Sequence, residues 1–189
     1  MPTEVLVAYA SRYGSTEEVA RTIATTLRTC GLAVTATPAA DVRDLEPYDA
    51  VVLGAALYMY RWHKAARRFL SRHRAALDRR AVAVFALGPV HEPHDDKEWE
   101  DARSQLDREL DRYPWLAPVT LAVFGGRFDP AKLRFPINVL AGSEPASDIR
   151  DWDAIRSWAE ALPAMLEAGR QEPGRAQPTR TQPATAPRS

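Results

Sequence analysis

A chain of 189 residues, with 46% hydrophobic and 26% charged residues, is long enough for one domain with a sizeable core. Its 25 basic and 25 acidic residues give zero formal net charge, which argues against a general binder of nucleic acid or anionic membranes. The single cysteine, Cys30, excludes an intramolecular disulfide and a multi-cysteine metal site. No apolar run approaches the roughly 18 residues of a transmembrane helix, and no signal peptide precedes the first strand. We therefore expect a cytoplasmic protein.

Apolar segments alternate with amphipathic segments, which predicts an α/β protein whose parallel sheet is covered on both faces. The predicted strands are residues 4–10, 32–37, 50–54, 81–87 and 119–124, and the predicted helices are residues 16–29, 63–78, 97–112 and 152–166. Gly31 suits the C-terminal cap of the first helix. Residues 38–48 have room for one short helix, and Pro163 is expected to kink or end the last helix.

The composition changes after residue 168. Residues 169–189 are dominated by Gly, Pro, Gln, Thr, Ala and Arg and contain no large apolar residue. Such a segment cannot bury enough surface to offset its ordering entropy. We therefore expect one domain at residues 1–168, followed by a disordered, solvated Pro/Gln/Thr/Arg tail.

A hydroxyl-rich loop separates the first strand from the first helix. Its residues are Ser11, Arg12, Tyr13, Gly14, Ser15 and Thr16. The first N–H groups of a helix have no internal partner and the helix dipole is positive there, so such a loop favours an anion. Gly14 allows close approach of the backbone or a positive φ. We interpret the loop as a phosphate cradle; the alternative is a capped turn in which Ser15 and Glu18 form a capping box.

Two further unusual loops, residues 55–62 and 88–94, also directly follow predicted strands. Parallel strands place their carboxyl ends at one edge of the sheet, and open α/β sheets bind ligands there. We therefore expect these two loops and the loop 11–16 to form one site.

The loop 11–16 and the order of elements resemble the flavodoxin family. Flavodoxins carry Ser/Thr-x-Thr-Gly-x-Thr after the first strand, and this sequence reads Ser-Arg-Tyr-Gly-Ser-Thr, with Tyr13 at the third position. The stretch Tyr-Asp-Ala-Val-Val-Leu-Gly at 48–54 is also similar to the family. The resemblance implies a flavodoxin-like three-layer α/β sandwich, a five-stranded parallel sheet in the order 2-1-3-4-5, and non-covalently bound FMN.

Three segments resemble a narrower flavodoxin-like branch that includes bacterial oxygen-independent protoporphyrinogen oxidases. They are Ala-Ser-Arg-Tyr-Gly-Ser-Thr at 10–16, Phe-Gly-Gly-Arg-Phe at 124–128 and Asp-Trp-Asp-Ala-Ile at 151–155. The long segment 127–150 also fits that branch better than a short electron-transfer flavodoxin. This resemblance implies quinone-linked oxidation of a porphyrinogen.

The family resemblance implies where FMN would lie. Its phosphate would contact the N–H groups of residues 12–16 and the hydroxyl groups of the same loop, and its ring would lie between two walls. One wall is Ala55, Ala56, Leu57 and Tyr58, and the other is Gly88, Pro89, Val90 and His91. Of the aromatic residues Tyr58, Tyr60 and Trp62, Tyr58 is the first choice for stacking on the flavin, with core packing as the alternative.

A basic cluster follows the aromatic loop. Arg61 and Lys64 lie near the expected flavin edge and could pair with substrate carboxylates such as porphyrin propionates. The cluster continues with Arg67, Arg68, Arg72, Arg74, Arg79 and Arg80. A solvated helix face is the alternative, and peripheral contact with a membrane is a third reading, since quinones reside in membranes.

Two histidines precede a pair of carboxylates, as His91-x-x-His94-Asp95-Asp96. No third ligand group is evident elsewhere, so we predict no metal site. Either histidine is a candidate proton donor near the flavin, because imidazole titrates near neutral pH.

The sequence thus predicts an FMN-dependent oxidoreductase acting on a redox partner or a small-molecule substrate, such as a porphyrinogen or a quinone, and not on nucleic acid. Two alternatives remain. One is a non-enzymatic electron carrier, against which the basic run 61–80 argues, because such carriers are usually acidic around the flavin. The other is a flavodoxin-fold module that has lost FMN, an alternative that Tyr13 keeps open. The electron donor, the acceptor and the oligomeric state are not predicted.

Overall fold

The computed structural model describes residues 3–58, 61–90, 96–129, 145–171 and 179–180. The strands are β1 (Glu4–Ala10), β2 (Ala33–Pro38), β3 (Ala50–Tyr58), β4 (Arg61–Trp62), β5 (Ala81–Leu87), β6 (Thr120–Phe124), β7 (Arg127–Phe128), β8 (Ser147–Asp148) and β9 (Thr179–Arg180). The helices are α1 (Ser15–Thr29), α2 (Lys64–Arg72), α3 (Arg74–Leu77), α4 (Asp96–Leu110) and α5 (Trp152–Gln171). The predicted alternation of strands and helices is confirmed.

The five long strands form one parallel sheet in the order β2-β1-β3-β5-β6. Counted along the chain, these strands have the predicted order 2-1-3-4-5, which is confirmed. Near the start of β1, Val5 pairs with Val34 of β2 on one side and with Ala50 of β3 on the other. Every residue of β5 is buried, as expected for a strand covered on both faces.

Helices cover both faces of the sheet and form the outer two of three layers. On one face, α1 and α5 bury Ile23 and Trp158 against the strands. On the other face, α2, α3 and α4 bury Phe69, Leu77 and Leu106. The two cores exist because successive side chains of a strand point to opposite faces of the sheet.

The C-terminal end of α1 follows the prediction. Gly31 has a φ of 88°, in the left-handed region that glycine adopts without strain. Its N–H group donates to the carbonyl of Arg28 at 3.0 Å, and the N–H group of Leu32 donates to the carbonyl of Leu27 at 3.3 Å. These two bonds form a Schellman motif, which ends the helix and directs the chain into β2.

The third strand is longer than predicted. The prediction ends it at Gly54, but β3 continues to Tyr58. Ala55 remains paired with both neighbouring strands, and β4 then turns back so that Leu57 lies opposite Trp62. The assignment of this segment to a loop is therefore wrong, because the backbone pairing continues past the glycine.

Other helix boundaries also differ from the prediction. The predicted helix 63–78 is divided into α2 and α3 at His73, whose φ of −103° departs from helical geometry. Pro163 lies inside α5 without ending it. Residues 38–48 contain turns and no helix. A carboxylate in that polar segment binds a backbone N–H group of the same segment instead, which competes with helix formation.

Helix α5 ends at Gln171, beyond the predicted domain boundary at residue 168. Further along the chain the structure describes Thr179 and Arg180, whose backbone pairs in parallel with β6. The disorder predicted for the rest of the tail stays a prediction. Within the described ranges, no helix has both the length and the apolar character needed to cross a membrane.

Candidate functional site

A cavity of about 490 Å³ lies at the carboxyl edge of the sheet, beyond β1 and β3. It is lined by Arg12, Tyr13, Ser15, Thr16, Ala56, Arg61, Trp62, His63 and Lys64. The structure therefore brings the loop 11–16 against the end of β3, β4 and the start of α2. Of the predicted first wall, Ala56 lines the cavity, whereas Ala55 and Leu57 pack into the core beneath α2. This volume is in the range of small-molecule and cofactor pockets.

The backbone of the loop is set by Gly14. This residue is the N-cap of α1 and has a φ of 94°, which would strain any other residue. Its N–H group donates to Oγ of Ser11 at 3.0 Å, and no side chain caps the helix. The capping-box interpretation, with Ser15 and Glu18, is therefore wrong. The hydroxyl group of Ser11 shapes the loop, and the start of α1 has no side-chain cap.

Thr16 places a buried hydroxyl group beside the cavity. The residue is 1% exposed, and its Oγ1 has no hydrogen-bond partner among the residues that the structure describes. Leaving a buried polar group unpaired costs about 1–3 kcal/mol. An anion at the start of α1 would accept from this hydroxyl group and from the first N–H groups of the helix. The loop therefore fits a phosphate group.

The aromatic wall is described only at Trp62. This side chain is 1% exposed, and its Nε1–H donates to the carbonyl of Ala55 at 3.2 Å. Trp62 thus belongs to the core and also forms part of the cavity lining. The side chain of Tyr58 and the whole of Tyr60 lie outside the described residues. Stacking of Tyr58 on a flavin stays a prediction.

Three basic side chains line the cavity: Arg12, Arg61 and Lys64. No acidic side chain is among the described residues that line it. The guanidinium of Arg12 lies over the ring of Tyr13, 5.2 Å from its centroid. Neither Arg61 nor Lys64 forms an ion pair with a residue that the structure describes. The predicted substrate residues Arg61 and Lys64 thus face the same space as the predicted phosphate loop.

His63 also lines the cavity, and the sequence analysis did not single it out. It is the N-cap of α2, and its Nδ1 accepts from the N–H group of Ala65 at 3.2 Å. A neutral imidazole that accepts at Nδ1 carries its proton on Nε2, which can donate to a ligand. Burial, followed by the charges of Lys64 and Arg12, lowers the pKa of His63. In the sequence, the only indication that His63 belongs to the site was its position at the start of the predicted helix.

The predicted second wall consists of Gly88, Pro89, Val90 and His91. The carbonyl of Pro89 accepts from the N–H group of Gly126 at 2.6 Å, and the N–H group of Val90 donates to Oε1 of Glu98 at 3.0 Å. None of residues 88–90 lines the cavity, so their contact with a flavin stays a prediction. His91, His94 and Asp95 lie outside the described residues. Within the described ranges, no group of three His, Cys, Asp or Glu side chains could hold a metal ion.

The later arginines of the basic cluster do not line the cavity. Arg68 and Arg72 are exposed, as the solvated-face alternative expects. Arg80 has a structural role, since its guanidinium donates to the carbonyl of Tyr48 at 2.8 Å and to that of Ala76 at 2.7 Å. Arg61 and Lys64 are exposed too, and they differ from the remainder of the cluster in that they line the cavity.

The sequence profile of the Flavodoxin domain family matches residues 6–136. The chain belongs to this family. No curated protein matches the chain in sequence. The family match includes the loop 11–16, both walls of the predicted site and the aromatic loop, so the fold assigned from the strand order and the family assigned from the sequence agree.

Solved structures give the same fold. Oxidised flavodoxin 1 from Bacillus cereus is 18% identical, covers 88% of this chain and 98% of its own, and has a TM-score of 0.52. A flavodoxin from Streptococcus pneumonia is 17% identical over 86% of this chain and 99% of its own, with a TM-score of 0.53. Rubredoxin oxygen:oxidoreductase from the anaerobe Desulfovibrio gigas is 15% identical over 88% of this chain and 37% of its own, with a TM-score of 0.56. The chain has a flavodoxin-like α/β fold.

Proposed function

We propose that the protein binds FMN non-covalently in the cavity and acts as a redox protein. The observation that carries this proposal is the buried hydroxyl group of Thr16, which has no partner among the described residues and lies at the uncapped start of α1. When bound, the flavin supplies the electron-transfer chemistry. The chain's own residues bind the cofactor, orient it and exclude water from it.

The proposed contacts divide the cofactor between two parts of the cavity. The N–H groups at the start of α1 and the hydroxyl group of Thr16 would hold the phosphate, with charge from Arg12. A phosphate monoester carries a charge of about −1.5 to −2 at pH 7. Ala56 and Trp62 contribute apolar surface to the same cavity, where they would exclude water from the ring.

The replacement Thr16→Val tests the proposal. Valine keeps the shape of threonine and removes the unpaired hydroxyl group, so we expect the free energy of unfolding without flavin to stay the same or to rise by about 1 kcal/mol. FMN affinity should fall about tenfold, because one hydrogen bond to a charged group is lost. Affinity for riboflavin, which has no phosphate, should not change. The measurements are flavin fluorescence titration and urea unfolding.

Thr26→Val is the matched control. Thr26 lies on the same helix and is also buried, but its hydroxyl group already donates to the carbonyl of Thr22 at 3.0 Å, away from the cavity. This variant should lose stability and keep its FMN affinity. A purified wild-type protein that retains no flavin absorbance after incubation with FMN and removal of free ligand would overturn the proposal.

A finer proposal is dehydrogenation of a porphyrinogen with a quinone acceptor. Its support is the sequence similarity at residues 10–16, 124–128 and 151–155, together with two cations suited to propionate carboxylates, Arg61 and Lys64. Porphyrin fluorescence, followed after mixing the FMN-loaded protein with protoporphyrinogen and a soluble quinone under nitrogen, tests it. No increase over the flavin-free protein would exclude this activity and leave an electron carrier, whose flavin should be reduced in separate one-electron steps in a redox titration.

A further inference from the structure

The cations of the cavity come from two separate parts of the chain. Arg12 belongs to the loop 11–16, whereas Arg61 lies on β4 and Lys64 is the first residue of α2. All three side chains are also exposed, so solvent screens their mutual repulsion, and an anion that enters the cavity can pair with them. No carboxylate among the described lining residues provides that charge. The described lining residues therefore bring positive charge and no carboxylate to the cavity.

One phosphate group does not account for all of this positive charge. A phosphate at the start of α1 would be balanced mainly by the helix dipole, the N–H groups of the helix and Arg12. Arg61 and Lys64 would still have no counter-ion among the described residues, since neither forms an ion pair with any of them. These two cations belong to β4 and to the start of α2, far along the chain from the phosphate loop.

His63 adds a neutral donor beside these cations. Its Nδ1 is occupied by the N–H group of Ala65, which leaves the Nε2–H available as a donor. The positive end of the α2 dipole, from a helix of nine residues, acts in the same place. The combination provides charge from two side chains, one directed N–H donor and a helix N-terminus, all against the same cavity.

We propose that Arg61, His63 and Lys64 form a second anion subsite, separate from the phosphate loop, that binds a carboxylate or phosphate group of the small molecule that exchanges electrons with the flavin. The subsite selects anionic substrates and holds them by an end that does not react. The inference rests on the proposed function only in that FMN occupies the phosphate loop.

The pKa of His63, followed by NMR of its ring, tests the subsite directly. An anion bound beside the ring should raise this pKa, against the lowering effect of burial, Lys64 and Arg12. The probes are inorganic phosphate and succinate, added to the FMN-free and to the FMN-loaded protein. The two probes separate a phosphate site from a carboxylate site. We expect saturable shifts in both forms of the protein.

Variants that remove one charge test which side chains bind the probe that shifts the pKa of His63. Arg61→Gln and Lys64→Gln should each weaken binding of the effective probe about tenfold, as expected for a hydrogen bond to a charged group. Arg72→Gln removes a charge from the exposed last turn of the same helix and should leave the binding unchanged. Thr16→Val should weaken FMN without changing the response of His63 to the probes.

Three results would overturn the subsite. The first is no shift of the His63 resonances with either probe. The second is equal weakening by Lys64→Gln and Arg72→Gln, which would indicate general electrostatic screening. The third is weaker FMN binding in Arg61→Gln and Lys64→Gln with none in Thr16→Val, which would place the cofactor phosphate at α2. Failure of the flavin proposal is read separately, as loss of flavin absorbance in the wild-type protein.

Discussion

The carboxyl edge of the sheet has two halves that differ in whether their polar groups have hydrogen-bond partners within the protein. Beyond β5 and β6, the N–H group of Gly88 donates to the carbonyl of Phe124 at 3.0 Å, and that of Ile149 donates to the carbonyl of Gly126 at 3.1 Å. Beyond β1 and β3, Thr16 keeps a buried hydroxyl group without a described partner. Polar groups that form hydrogen bonds with each other stabilise the fold. A region with a buried polar group that has no described partner is the better candidate for ligand binding.

We call the region beyond β5 and β6 the closed half and the region beyond β1 and β3 the open half. The closed half also carries a network of ion pairs that extends to the open half. The side chain of Arg150 is 3% exposed, donates to both oxygens of Asp148, and contacts Glu18 Oε2 at 2.7 Å. Its guanidinium lies over the ring of Trp152, 4.6 Å from the centroid. Since Glu18 belongs to the first turn of α1, this network ties the antiparallel strands β7 and β8 to the helix that begins at the phosphate loop.

The largest expected effect comes from adding a methyl group to the closed half. In Gly125→Ala, the new Cβ would lie 2.1 Å from the backbone carbonyl oxygen of Ile149, which a side-chain rotation cannot relieve. We expect a loss of about 3 kcal/mol in the free energy of unfolding, measured in urea. In the neighbouring variant Gly126→Ala, the Cβ first meets a side-chain methyl of Val90 at 2.8 Å. That variant should lose clearly less, and equal losses would contradict the steric explanation.

Removal of the buried guanidinium should have the next largest effect. Arg150→Met should cost about 2 kcal/mol, below the value for a fully buried pair, because Glu18 and Asp148 are 45% and 42% exposed and regain water. Arg156→Met is the control: it removes an exposed pair with Asp153 and should cost under about 0.5 kcal/mol. Urea unfolding at pH 7 measures both.

The ion pair of Arg150 and Asp148 predicts that the stability of the protein depends on pH in the acid range. Hydrogen bonds from Arg150 lower the pKa of Asp148, so the pair stabilises the protein above the carboxyl pKa of the unfolded chain, near 4, and this contribution is lost as the pH falls further. Between pH 5 and pH 3, Arg150→Met should therefore lose less stability than the wild type. A parallel decline of both proteins would contradict the assignment to this pair.

The two glycines that flank α1 allow an effect on FMN binding to be distinguished from an effect on stability. Gly14 and Gly31 have φ values of 94° and 88°, and a Cβ on either would meet no atom within 4 Å. Replacement by Ala should cost about 1 kcal/mol of stability at each position, because the left-handed strain is the same. Only Gly14→Ala should weaken FMN binding, since it alone alters the phosphate loop. Equal FMN affinity in the two variants would remove the loop from the site.

The smallest expected effect is a dependence of the free energy of unfolding on pH, caused by the two histidines at the ends of α2. Burial is the main cause of the lowered pKa values of His63 and His73, so both are favoured as neutral groups in the folded protein. The unfolded chain takes up protons below about pH 6.5, and stability should therefore fall from pH 7 to pH 5. His73→Gln should reduce this fall, as measured by urea unfolding at both pH values. An unchanged slope would contradict the assignment.

The strands were predictable because buried parallel strands are apolar on both faces and are visible as continuous runs in one sequence. Their order was implied only by the resemblance to flavodoxins. The phosphate loop was also predictable, since Gly14 and the hydroxyl groups lie between a strand and a helix. The roles within the loop were not. Only the folded backbone shows that the Ser11 hydroxyl group accepts from Gly14 while that of Thr16 is left without a described partner.

The tertiary structure decided the composition of the cavity. Local pattern does not distinguish Arg61 and Lys64, which line it, from Arg72, which belongs to the same basic run and does not line it. The continuation of β3 to Tyr58 depends on two neighbouring strands, and the role of His63 depends on where that strand directs α2. Burial and periodicity are local properties that the sequence determines alone. Which polar groups meet across a cavity depends on distances between segments far apart in the chain, and only packing sets those distances.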